Sequence, residues 1–351
     1  LRRLYARPEV LAAANRKAGS PLRPDELAAL VRPRSAPWTV SDVPILDECE
    51  ELLGPMPSSS SSSREADEGA IERAREAIEA QNLGGGIVTA QMLAEQVAGQ
   101  DTWTPLSERA AKDRTWAYGH IVVDEAQELS PMAWRALLRR CPSRSFTVVG
   151  DLDQRRGSKR PPTWEKALGP AARALAAEYA LTVSYRTPAT LTTLAEGVVA
   201  RAGVPVLYPM TAVRDVEDCY RVTHVDAPED APASSKDNSP LWRAVAQAQR
   251  EAEERLDREA GTSRGRIALI VGNERARAWG ADVDGETALS ERVSLLSAVA
   301  SKGLEFDSVI LVEPAEILGD GVGDLFVALT RATHDVHVVH CAPLPAGMEE
   351  W

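Results

Sequence analysis

The chain has 351 residues, 44% of them hydrophobic and 26% charged, with a formal net charge of −12 at pH 7. That length allows a sizeable core and predicts two domains, no apolar run approaches the roughly 18 residues of a membrane span, and so acidic a surface argues against a tight grip on nucleic-acid phosphates. Cys49, Cys141, Cys219 and Cys341 are far apart with no CxxC pair, so the sequence suggests neither a zinc site nor a disulfide framework but reduced thiols in a cytoplasm. It starts at Leu1 rather than Met and has no signal-peptide apolar region over Leu1 to Val10, which reads as a soluble chain that is processed or a fragment.

In chain order, residues 1–83 read as a helical segment in which Pro8, Pro21, Pro24, Pro33, Pro37 and Pro44 punctuate short Leu/Ala-rich stretches. The serine run Ser58 to Ser63 is a flexible linker by composition. Arg64 to Gln81 predicts a solvated amphipathic helix ended by Gly84, Gly85 and Gly86. From there the pattern turns α/β, with a strand at Ile87 and Val88 and a helix over Ala90 to Ala98. Ile121 to Val123 and Thr147 to Val149 read as short buried strands of a parallel sheet, joined through a helix from Pro131 to Arg140. Gly157 to Pro162 is a basic loop, Pro170 to Tyr179 an Ala-rich helix, and Leu181 to Ser184 a further strand. Helices follow at Thr190 to Ala202 and at Leu241 to Ala260, the latter with Leu241, Val245, Ala248, Ala252 and Leu256 on one face, after a polar loop from Asp226 to Pro240. Strands are expected at Ile267 to Val271, Val309 to Val312 and Val336 to Val339, with a helix over Leu325 to Ala332 before the last. His334, His337 and His340 read as the exposed face of that strand rather than metal ligands.

Chemistry gathers at the strand ends, where ligands sit in open α/β sheets. Asp124 and Glu125 end one strand; Gly150, Asp151, Asp153 and Gln154 end the next. A carboxylate at a strand tip holds Mg²⁺, and its neighbour orients and deprotonates an attacking water. A DE pair by itself is an ordinary solvated turn; the amides of Gln127 and Gln154, suited to sensing a terminal phosphate, shift the balance. Arg186 and Arg331, at pattern boundaries, are candidate cationic clamps for phosphate oxygens. Lys302, Gly303 and Glu305 form a loop where glycine permits close backbone approach and a carboxylate is placed to bind ribose hydroxyls.

VVDEAQ (Val122 to Gln127), GDLDQ (Gly150 to Gln154), SYRT (Ser184 to Thr187), SKGLEF (Ser301 to Phe306) and VALTRA (Val327 to Ala332) resemble, in order and spacing, the motifs of UvrD/Rep-like superfamily-one helicases. The resemblance implies two RecA-like parallel-sheet domains, the first incomplete and spanning 84–183, the second 184–351, with ATP and Mg²⁺ between them. It assigns Mg²⁺ to Asp124, the catalytic base to Glu125, and γ-phosphate and water contacts to Gln127 and Gln154. Tyr185 would stack on adenine, Arg186 and Arg331 would be arginine fingers, and Glu305 would bind ribose, with Asp151 and Gly303 lining the nucleotide. LRRLYARPEVLAAAN, Ala36 to Gly54 and Trp116 to Asp151 further resemble the HelD-type branch, RNA polymerase-associated ATPases of Gram-positive bacteria.

Two departures qualify these expectations. The chain has no G-x-x-x-x-G-K-[ST] phosphate loop, which predicts the C-terminal part of a longer protein, inactive toward ATP on its own. Arg155 and Arg156 follow GDLDQ where translocating relatives carry base-stacking aromatics, each worth about 1–3 kcal/mol per base, and Ala298 or Val299 stands where the family has His. With the acidic charge, this favours a protein partner over a DNA track, and the resemblance implies that the partner is RNA polymerase core; a DNA-repair translocase and a nucleotide-independent binding module stay open as alternatives.

Overall fold

The computed structural model describes residues 1–54, 105, 107–108, 110, 113, 116–156, 160–226, 239–281 and 291–349. The serine run, the helix expected over 64–81, the glycines at 84–86, the strand at 87–88 and the helix at 90–98 lie outside them, as do 157–159 and 227–238 of the two loops. The chain divides into two compact units, one of residues 1–121 and 130–145, the other of 122–129 and 146–351. Among the described residues no helix is long and apolar enough to cross a membrane, and all four cysteines are free.

The first unit is helical: α1 (Arg2–Tyr5), α2 (Pro8–Lys17), α3 (Pro24–Ala29), α4 (Val43–Leu53) and α5 (Pro131–Arg140). Pro8, Pro24 and Pro131 each open a helix, where the missing N–H costs nothing and the fixed φ is already helical. Ser130 caps α5 by accepting from the Ala133 N–H at 3.1 Å. Trp134 is fully buried on α5, and on the same helix Arg139 pairs with Asp47 and Glu48 while Arg135 reaches Glu48 at 2.8 Å. Arg32 lies over the Tyr5 ring at 4.4 Å and pairs with Asp42, whose carboxyl that guanidinium holds well below the usual carboxylate range.

The second unit is α/β. Its largest sheet comprises β5 (Tyr220–His224), β6 (Ile267–Val271), β7 (Val293–Ser297), β8 (Phe306–Val312) and β9 (Ala332–His340), in the order β5-β9-β8-β6-β7 with every pairing parallel. A parallel sheet needs cover on both faces, and the period of two along each strand supplies two apolar surfaces. Ile267, Leu269, Val271, Ile310 and Val312 pack under α8 (Pro240–Glu259) through Leu241, Val245, Ala248, Ala252 and Leu256. Ala268, Ile270, Val309 and Leu311 face the opposite way, against α7 (Ala189–Arg201) and α11 (Val322–Leu329). Each fully buried aliphatic side chain in these layers contributes about 1.5–3 kcal/mol. Shorter helices, α6 (Trp164–Leu168), α9 (Asn273–Trp279) and α10 (Pro314–Asp320), complete the unit. Two smaller sheets pair β1 (Ile121–Val123) with β2 (Phe146–Val148), and β3 (Val183–Ser184) with β4 (Thr211–Ala212).

Several expectations are corrected. β1 and β2 stand at the expected places, β2 one residue early, but they are not buried: Val122 is 68% and Val149 51% exposed, and Val123 alone of the two runs is buried. The Ala-rich helix over 170–179 does not form. α6 ends at Leu168, capped by Gly169 at φ 52°, a short 3-10 turn covers Gly169–Ala174, and Leu175 is extended. Leu175, Tyr179 and Leu181 are exposed, so a helix there would have no apolar face to dock, and propensity alone does not hold a helix so short. On β9, His337 and His340 are buried rather than exposed; burial pushes the His337 imidazole down, toward neutrality, and its Nε2 lies 2.8 Å from Thr223 Oγ1.

Candidate functional site

The expected site residues fall in the second unit, and the geometry starts at the carboxyl ends of β1 and β2. Glu125, two residues past the end of β1, takes a left-handed backbone, φ 50°, and its N–H donates to Asp124 Oδ1 at 2.8 Å. The turn brings the Ala126 N–H onto Val149 O at 3.1 Å and buries Gln127 completely. From there the Gln127 amide works in both directions. Its Nε2 donates to Glu125 Oε2 at 2.6 Å, and its Oε1 accepts from the Asp151 N–H at 3.0 Å. Asp151 accepts from Asp153 N at 2.9 Å on one oxygen and from Gln154 Nε2 at 2.9 Å on the other.

Glycine at position 150 is required by this approach. A Cβ there would fall on the Gln127 amide oxygen, 2.9 Å from Trp164 Cη2 and 3.1 Å from Ala126 N. Gly323, at the start of α11, is constrained in the same way by the backbone carbonyl of Arg155.

The five-stranded sheet contributes from the amino ends of its strands. Arg331, one residue before β9, is 2% exposed. Its Nη2 donates to Gln154 Oε1 at 3.2 Å, its Nε to Val327 O at 3.2 Å and its Nη1 to Leu304 O at 3.4 Å. Burial lowers its pKa to about 10, with the Arg186 cation adding to the effect and Glu125, Glu305 and Asp151 opposing it, so the guanidinium stays charged at neutral pH. The loop before β8 brings Lys302 Nζ to 2.6 Å from Glu128 Oε1, 3.0 Å from Gln154 O and 3.2 Å from Glu125 Oε2. Arg186 and Glu305 form a more exposed ion pair at 2.7 Å.

Glu125, Gln127, Asp151, Gln154 and Arg331 are therefore one continuous hydrogen-bonded chain, with Arg186 and Glu305 paired to each other. Asp124, Tyr185 and Gly303 are exposed and stand apart from it; Asp124 meets it through the Glu125 backbone alone among the described residues, Tyr185 is 72% exposed, and Gly303 has φ 76°. Sequence reading gave no role to Glu128, Arg155 or Arg160. Yet Arg155 donates to Gln127 O, and Arg160 pairs with Asp153, whose other oxygen accepts from the Leu207 N–H at 2.9 Å. Lys302 was legible as part of a loop, but not as the partner of a carboxylate 174 positions away.

Among the described residues no group of three or more His, Cys, Asp or Glu side chains is placed to hold a metal ion. Asp124 nevertheless offers an exposed carboxylate, the donor type Mg²⁺ uses when phosphates and water complete its shell.

No protein-family model matches the chain, and no curated protein matches it in sequence. Among solved structures, the arterivirus nonstructural protein 10 helicase is similar over 67% of this chain and 41% of its own, at 16% identity and a TM-score of 0.35. The C-terminal domain of a possible DNA helicase from Lactobacillus plantarum WCFS1 is similar over 47% of this chain and 92% of its own, at 17% identity and a TM-score of 0.29. The PRRSV helicase is similar over 62% of this chain and 34% of its own, at 14% identity and a TM-score of 0.31. The chain thus spans about two fifths of the length of the arterivirus helicase. Likenesses this distant decide nothing about the chemistry of the site.

Beside the site, burial pushes the Asp324 carboxyl on α11 up to about 6; Arg156 and Lys302 oppose the rise, Asp320 and Glu128 add to it. A carboxyl whose folded pKa exceeds its unfolded value binds more protons folded than unfolded, so it costs stability as pH rises from about 4 to 6. Asp324→Asn is expected to stabilise the protein above pH 7 by on the order of 2 kcal/mol. It should also flatten the dependence between pH 4 and 6, read by urea denaturation across that range.

Proposed function

We propose that the chain is the C-terminal part of an ATP-dependent, HelD-like factor that binds RNA polymerase core and releases it from nucleic acid or from a bound inhibitor such as rifamycin. The observation that carries the reading is the unbroken hydrogen-bonded chain from Glu125 through Gln127, Asp151 and Gln154 to Arg331. It links a base on one strand edge to a cation at the start of another sheet, which is what phosphoryl transfer requires when its catalysis is positioning and charge neutralisation. Glu125 takes the proton of the attacking water, Gln127 and Gln154 orient that water and the terminal phosphate, and Arg331 and Arg186 neutralise developing charge. Tyr185 and Glu305, both exposed, take the base and the ribose. Mg²⁺ held at Asp124 supplies charge neutralisation on the phosphates. The phosphate cradle is missing from these 351 residues, and in this reading a further part of the polypeptide supplies it. The polymerase partner rests on the acidic charge and on the HelD-type phrases of the sequence.

The test uses the protein expressed from its complete gene. It is expected to turn over ATP with Mg²⁺, to be retained on RNA polymerase core, and to be stimulated by it, while the 351-residue chain alone hydrolyses no ATP. Absence of retention at low salt removes the polymerase reading. Stimulation by single-stranded DNA, with unwinding of a tailed duplex, replaces it with the DNA translocase.

A further inference from the structure

The ammonium of Lys302 forms an ion pair, at 3.2 Å, with the carboxylate that the reading above makes the base. The side chain is 9% exposed and its three contacts are all to oxygen: Glu128 Oε1 at 2.6 Å, Gln154 O at 3.0 Å and Glu125 Oε2 at 3.2 Å. An ammonium has three N–H groups and no acceptor capacity; two of them make hydrogen bonds, to Glu128 Oε1 and Gln154 O, and the approach to Glu125 is an ion pair. Lys302 is thereby held by the turns that follow β1 and β2.

We propose that Lys302 is a positioning residue for Glu125, tying the turn after β1 to the loop before β8 and holding the Glu125 carboxylate in one orientation. Two features support a positioning role over a plain ion pair. The Gln127 Nε2 hydrogen bond and the Lys302 Nζ ion pair fall on the same oxygen of Glu125, Oε2; this anchors that oxygen and leaves Oε1 as the one proposed to take the proton. Glu128, from the same turn, accepts from Lys302 and from the Arg156 N–H at 3.2 Å, so the ammonium is itself held in place through a carboxylate that has no part in the chemistry. A lysine paired to one exposed carboxylate would confer little order; one also anchored by two hydrogen bonds confers more.

The inference rests on the proposed hydrolase reading. In the protein from the complete gene, Lys302→Met keeps the length of the side chain and removes its charge, and is expected to lower kcat for ATP about 10- to 100-fold with KM changed less than threefold, the pattern of an interaction that matters in the transition state. Lys302→Arg should recover at least part of kcat, and Glu128→Gln should produce a smaller loss that does not add to that of Lys302→Met, because both act through one contact. A parallel melting curve for each variant separates loss of fold from loss of positioning. Wild-type turnover that Lys302→Met leaves unchanged, or a rise in KM with kcat intact, overturns the clamp and leaves the hydrolase reading standing. Absence of any wild-type turnover overturns both.

Discussion

Arg331→Ala is expected to lower the free energy of unfolding by several kcal/mol, because it removes a buried, multiply hydrogen-bonded side chain and each acceptor left unpaired costs about 1–3 kcal/mol. The guanidinium donates to Gln154 Oε1, Val327 O and Leu304 O, and the truncation leaves these acceptors without it inside a site that solvent barely reaches. Part of its contribution is local: Val327 O is one of the last carbonyls of α11, where a cation satisfies an orphan acceptor and opposes the helix dipole. Arg331→Met keeps most of the volume and sheds the desolvation cost of the charge, which has already pulled the pKa down to about 10. It leaves the same three acceptors unpaired, however, so it should recover only the packing part of the loss, about 1–2 kcal/mol. Urea denaturation of the three proteins decides the matter: a value for Arg331→Ala within about 1 kcal/mol of wild type means that the hydrogen bonds are made without net gain.

How much of this was legible in the sequence depends on whether the signal was local. α5 matches the expected helix residue for residue, since Pro131 and the Ser130 cap mark its start and the periodicity does the rest. The apolar face of α8 was read correctly at all five positions, because a five-member stripe at helical spacing has one geometric solution. The burial of β1 and β2 was misread for the opposite reason. Three β-branched residues in a row establish a strand, but which face is covered depends on neighbours that a local window cannot see. The histidines of β9 failed likewise: alternation predicts two faces, yet in a central strand covered by helices on both sides each face is interior.

For the site, motif order gathered Glu125, Gln127, Asp151, Gln154 and Arg331, which the fold joins through side-chain contacts. What stayed illegible were the charges that neutralise them. Lys302 and Glu128 are both surface-type residues in sequence, and their pairing is set by the turn at Glu125, where a non-glycine residue accepts a left-handed φ of 50°. Strain of this kind persists where the surroundings over-determine it, commonly at functional positions.

Glu125→Gln is expected to lower kcat for ATP in the complete protein by about 10²–10⁴-fold, the usual contribution of a general base, with little change in KM. The amide is nearly isosteric, so it tests proton acceptance rather than shape. It also presents an N–H₂ group that cannot accept: if that group faces Gln127 Nε2 and Lys302 Nζ, two contacts turn repulsive, and the amide will instead place its oxygen there and turn its nitrogen to the water side. Neither arrangement presents a group basic enough to take the proton, whereas Glu125→Asp retains a carboxylate but withdraws it by one methylene from both contacts. The aspartate variant should therefore keep more activity than the glutamine variant, and its residual turnover should be insensitive to Lys302→Met, since the clamp can no longer reach its oxygen. Turnover by Glu125→Gln within tenfold of wild type would place the base elsewhere, and Asp124, one residue away with an exposed carboxylate, would be the next residue to replace.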